Sequence, residues 1–173
     1  MGKELEGKPM KPTKLSALTD ALDFDSPEHT HWVDRQNGTV VMLDNTVRRA
    51  VEDETEGVLS RLADWQKPEV EIARAIVDQW GGRFVVAPAK FDFHEYGHMA
   101  RFVGTVADAE AAEPLRRAIK GKGAFRHFKN TAARLGVLDD WFRYRDAAMK
   151  EFVVAWAEAK GVPFEDDVKP RKS

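Results

Sequence analysis

Residues 30–43 read THWVDRQNGTVVML, and the fold turns on how they are read. Thr30–Val33 and Thr39–Leu43 are rich in β-branched and aromatic residues. Between them Asp34–Gly38 closes on Asn37-Gly38, a pair that tolerates the positive φ of a hairpin turn. The pattern predicts two antiparallel strands. Outward on both sides the apolar period lengthens from two residues to between three and four, the mark of helices. Leu15, Leu18 and Leu22 predict a short helix from about Ser16 to Leu22, with Thr13 placed to cap it. Beyond the hairpin, Asp44 or Asn45 caps a helix carrying Val47, Ala50 and Val51, and Glu52-Asp53-Glu54 forms its solvated end. A short helix with Leu59, Leu62 and Trp65 follows. Pro68 then opens a stronger one with Ile72, Ile76 and Trp80 on its apolar face, Ala73 and Val77 beside them, and Gly81-Gly82 as its stop. Arg83–Ala87 reads as a short strand able to add to the hairpin, giving a three-stranded sheet.

The remainder is helical. Tyr96, Met99, Val103 and Val106 line one face, Leu115 and Ile119 a second, and Phe125, Phe128, Ala132 and Leu135 a third. A long last helix runs to about Lys160, with Trp141, Ala148, Phe152 and Trp156 as its stripe and Met149 filling gaps. The fold class is therefore α+β, a mostly helical single domain over residues 14–164 with a small antiparallel sheet. Residues 1–13 read as a disordered tail and 165–173 as a loose C-terminal one. At 173 residues, 43% of them hydrophobic, the chain suffices for one core. No apolar run approaches the roughly 20 residues that span a bilayer. The opening MGKELEGKPMKPTK lacks the apolar centre of a signal peptide. The chain has no cysteine, which excludes disulfides and thiolate metal sites. A cytoplasmic location without membrane contact is the expectation.

Charge supplies the functional clue. Leu115–Leu138, LRRAIKGKGAFRHFKNTAARLGVL, holds seven Lys or Arg and no Asp or Glu, in a chain of net charge -2, so the rest carries -9. Gly121-Lys122-Gly123 interrupts a helix ending near Lys120, and a new helix starts near Ala124. Such a start leaves backbone N–H groups free at the positive end of the helix dipole. Lys120, Gly121, Lys122, Gly123, Arg126 and Lys129 are the candidate ligand-binding residues, with Arg134 further along. The glycines permit close backbone approach and the cations attract phosphate, so the expected ligand is a nucleotide or a nucleic-acid backbone. The bland reading is a solvated helical face paired with acidic neighbours, its glycines serving only as a cap and a turn. The Walker pattern is absent, and no cofactor is implied. These features favour a binding module over an enzyme.

One motif argues otherwise. His94-Glu95-Tyr96-Gly97-His98 satisfies H-E-x-x-H, which in zinc peptidases sets two imidazoles on one helical face beside a catalytic glutamate. A metal-dependent hydrolase is thus the alternative, and a protein–protein adaptor with acidic and basic faces a third. Against the metal, Asp92-x-x-Glu95 reads as a capping box and Phe91 with Tyr96 as its hydrophobic staple. Arg101 would also set a cation beside the ion. His29 and His31 share a strand face but lack a third ligand. The expected metal set is none.

FDFHEYGHMARFV, AIKGKGAFRHFKNTAARLG and DDWFRYRDAAMKEFVVAWAEAKGV, with the opening LSALTDALDF…WVDRQNGTVVML and Trp65-Gln66, together resemble the uncharacterised protein family UPF0158. The likeness covers about Leu15 to Phe164. It implies a bacterial, intracellular protein of that family's fold and brings no reaction or ligand with it. The family pattern does not place a histidine at position 98, which further separates the motif from zinc chemistry.

Overall fold

In the computed structural model, which describes residues 9–54 and 56–171, the hairpin forms as β2 (His29–Asp34) and β3 (Thr39–Asp44). They follow β1 (Thr13–Lys14) and α1 (Leu15–Asp23), and pair antiparallel with Asp34 opposite Thr39 and His29 opposite Asp44. β4 (Phe84–Val86) adds antiparallel to the other edge of β2, giving the sheet order β3-β2-β4. Asp34 organises the turn. Its buried carboxylate accepts from the Gln36 and Asn37 backbone N–H groups and the Asn37 amide, and from the Arg83 guanidinium at 3.0 and 2.9 Å. Gly38 adopts φ 67°, and a Cβ there would lie 2.5 Å from the Pro12 carbonyl oxygen, so only glycine fits.

The helices between β3 and β4 are α2 (Asn45–Glu52), α3 (Glu56–Leu59) and α4 (Lys67–Asp78). Asp44 caps α2 by accepting from Thr46 and Val47 N–H. Trp32, Leu43, Val47, Leu62, Ala73, Ile76 and Phe84 form one core cluster. The stripe expected on α4 is displaced: Ala73 and Ile76 are buried, while Ile72 sits at the margin and Trp80 lies beyond the helix end. Trp80 meets Trp32 edge-on at 4.9 Å.

The second set of helices is α5 (Lys90–Phe93), α6 (Glu95–Thr105), α7 (Ala109–Ala118), α8 (Ala124–Arg134) and α9 (Leu138–Lys160), followed by β5 (Phe164–Glu165). Met99, Phe102 and Val103 of α6, Leu115 and Ile119 at α7, Phe128 and Ala132 of α8 and Trp141 of α9 make a second cluster. Phe128 packs edge-on against Trp141 at 5.2 Å, and Phe102 meets Trp141 tilted at 5.5 Å. The described chain divides into two compact units: residues up to Ala89 with Val153–Asp167, and Lys90–Phe152 with the residues from Val168 onward. The fold class is α+β, predominantly helical, with a small antiparallel sheet.

The polar ends differ from their compositional reading where they are described. β1 pairs in parallel with β5, Thr13 opposite Phe164, and Thr13 is fully buried. Lys14 rather than Thr13 occupies the cap position of α1. Asp167 accepts hydrogen bonds from the Ser16 backbone and hydroxyl, and Arg171 donates to Asp146 at 2.9 Å. Backbone pairing and charge-assisted bonds hold these segments without an apolar pattern. Residues 1–8, 172 and 173 of the expected tails lie outside the described residues.

Candidate functional site

The basic stretch folds as α7, a turn and α8. Asp108 caps α7 by accepting from Glu110 N–H, and Ala112 and Leu115 anchor the helix in its core. Near its end, Arg116 and Arg117 each lie 3.6 Å from Glu113, one turn back. Those two cations are matched locally, as the bland reading expects. The turn follows, with Gly121 at φ 85° and Gly123 at φ 72°, the second serving as the N-cap of α8 without any side-chain cap bond.

α8 buries a narrow stripe of Ala124, Phe128 and Ala132. At 100° per residue, Arg126 and Asn130 point directly away from that stripe, with Lys129 and Arg134 on either flank. Lys120, Lys122, Arg126, Lys129 and Arg134 are all exposed, and among the described residues none has a carboxylate within 4.0 Å. The six candidate residues therefore fall on one turn and the first half of one helix. The glycines differ in what they offer. Space beside Gly121 is open, whereas the His127 ring covers Gly123, where a Cβ would meet it at 3.3 Å. Phe125 departs from its expected inward placement: it lies at the edge of the buried arc and is 45% exposed. The surface offers ammonium, guanidinium and amide donors. Donors of these kinds hydrogen-bond anions.

The H-E-x-x-H spacing does not form its helical geometry. His94 stands outside α6 as its N-cap, in the left-handed region at φ 53°, so His94 and His98 are not successive residues of one helical face. The capping box and staple do not form either. Glu95 is buried and accepts from Arg145 Nε, while Phe91 and Tyr96 are both exposed. A buried ion pair has displaced the local cap, because the carboxylate finds a charge-assisted donor on α9. His98 stacks on Phe93 at 4.3 Å, and its Nδ1 lies 3.1 Å from Arg101. Burial first, and then the Arg101 charge, hold that imidazole below its usual pKa. Among the described residues no group of three His, Cys, Asp or Glu is placed to hold a metal ion.

Two features went unread in the sequence. Arg145 gave no signal as the partner of Glu95, fifty residues away. The segment from Val168 lies along α9, with Arg171 over the Phe142 ring at 4.9 Å. Together with Arg143, Asp146 and Lys150 it lines a cleft of about 300 Å³. No described helix is long and apolar enough to cross a membrane.

The family model described as uncharacterised protein family UPF0158 matches residues 9–172. The chain belongs to UPF0158. A similar UPF0158 protein, PA5073 of Pseudomonas aeruginosa, is 21% identical over 162 residues, spanning 93% of this chain and 88% of the relative. No solved structure matches the chain. The UPF0158 match takes in both core clusters, the Glu95–Arg145 pair and the whole of the basic turn and helix. It carries no ligand or reaction, so the functional reading rests on the geometry of α7, the turn and α8.

Proposed function

We propose that this chain is a non-enzymatic binding module, working in the cytoplasm, for a phosphate-bearing ligand such as a nucleotide or a nucleic-acid backbone. One observation carries the reading: the exposed cations Lys120, Lys122, Arg126, Lys129 and Arg134 have no carboxylate within 4.0 Å among the described residues. Elsewhere Arg48, Arg83 and Arg145 are matched by Glu52, Asp34 and Glu95. Surface cations left unmatched in a chain of net negative charge repel one another, and an anionic partner relieves that repulsion by releasing its own counterions.

Binding of fluorescent ATP, polyphosphate and oligonucleotides, measured by anisotropy at two salt concentrations, tests it. At least one of these probes is expected to bind, more weakly at the higher salt. The pair Lys122→Glu with Arg126→Glu is expected to lower affinity by about tenfold or more. Affinity that ignores both salt and this charge reversal, or no binding to any probe, would overturn the reading.

A further inference from the structure

We infer that the ligand of this surface is a single strand of nucleic acid, with Phe125 as the platform on which one unpaired base stacks; the inference rests on the phosphate-binding reading above. Lys120 and Lys122 stand on the turn, and Arg126, Lys129 and Arg134 on α8. They run from the turn along α8, whose eleven residues span about 16 Å at 1.5 Å per residue. A small ligand is held by donors that converge in a concave site, and the cleft of this unit lined by Arg143, Asp146 and Arg171 contains none of the five. Cations spread along a rod match charges spread along a polymer.

Phe125 decides between strand and duplex. Its ring is 45% exposed, in the first turn of α8, and stacks on no other ring among the described residues. Lys129 stands one turn further along the same flank, and Lys122 three residues before it on the turn. The open side of Gly121, where an added Cβ would meet nothing within 4 Å, leaves room for a strand to approach the turn. A flat apolar ring bordered by cations suits the face of a base whose phosphates lie alongside. In a duplex those faces are stacked inside the helix and only base edges reach the grooves, so the ring would have nothing to cover it. Non-specific strand binding is the expected behaviour, because every base presents a face.

The experiment compares labelled oligo-dT and oligo-U of graded length with a duplex of matched length and with ATP, by anisotropy across a salt series. Single strands are expected to bind at least about tenfold tighter than duplex or ATP. The slope of log K against log salt is expected near -0.7 per phosphate contacted, and Lys129→Gln to reduce it by about that amount. Phe125→Ala should weaken strand binding by about tenfold with the slope unchanged, and Phe125→Trp should restore it. Because Phe125 lies at the edge of the buried arc, a small drop in melting temperature is expected for Phe125→Ala and none for Phe125→Trp, both variants staying folded at the assay temperature. Duplex bound as tightly as strand, or Phe125→Ala without effect while Lys129→Gln weakens binding, would sink the strand inference and leave the phosphate reading standing. Indifference of every probe to Lys122→Glu with Arg126→Glu would sink both.

Discussion

At the scale of single residues, Asp34 has the most chemistry concentrated on it. Burial by itself would raise its pKa, but the Arg83 hydrogen bonds, with those from Asn37 and Gln36, outweigh it and hold the carboxyl below the usual range. The sign of the pH effect follows. The folded state releases this proton at lower pH than the unfolded chain does, so the stability is complete above the unfolded carboxylate pKa of about 3.9 and is lost as pH falls through the lower folded value. Asp34→Asn keeps the size but not the charge. Its melting temperature is expected to lie below the parent's at neutral pH, with the gap narrowing below about pH 4. Circular-dichroism melts across that range measure it, and a gap constant with pH would show that Asp34 acts by shape alone. The same residue marks a limit of sequence reading. Asn37-Gly38 announced the turn, but the aspartate that ties it to Arg83 is read only after β4 is seen beside β2.

At the scale of elements, α9 shows why its stripe was misread. The buried positions are Trp141, Met149, Val153 and Ala157, spaced in multiples of four, and the missing member of that line is Arg145. Apolar periodicity passes over a charged residue, so the line shifted by one to Ala148, Phe152 and Trp156. Hydrophobic patterns did locate the hairpin, the third strand and part of the buried faces of α6 (Met99, Val103) and α8 (Phe128, Ala132), but they set the exposed Tyr96 and Phe125 inward and passed over the buried Phe102. The two-residue strands β1 and β5 were invisible, being too short for any period and paired across most of the chain. The cations of the site were legible as composition. The exposure of Phe125 was not, since Phe125 and Phe128 fit an inward stripe equally well until the helix axis is known. The Glu95–Arg145 pair joins α6 to α9 with side chains 8% and 13% exposed. Glu95→Leu, which takes this acceptor from the half-buried Arg145, is expected to cost about 1–3 kcal/mol in denaturant unfolding, and Glu95→Leu with Arg145→Met to recover a good part of it. Equal losses in the single and double variants would mean that the pair contributes packing alone.

At the scale of the whole molecule, the opposing charges of +7 in residues 115–138 and -9 elsewhere set how far the basic surface is felt. Screening confines each charge to about 10 Å at 0.1 M salt and about 30 Å at 0.01 M. The basic helix is about 16 Å long. At the higher ionic strength an approaching polyanion therefore senses the local cations and little else, and affinity rises linearly on a log–log plot as salt is reduced. Toward 0.01 M the screening length exceeds the patch, and the ligand begins to feel the repulsion of the surplus carboxylates as well. The expected plot is straight above about 0.1 M and flattens below it, where a uniformly basic protein would continue upward. Anisotropy titrations of oligo-dT across the range provide the measurement. A line that stays straight to the lowest salt would mean that the acidic residues lie too far from the bound strand to matter. Neutralising Glu110 and Glu113, the carboxylates of α7 nearest in sequence to the turn, tests the same balance from the other side. Because Glu113 also holds Arg116 and Arg117, its replacement by Gln frees two further cations. Affinity should then rise at every salt concentration, and the slope should steepen by up to about 0.7 for each freed arginine that reaches a phosphate.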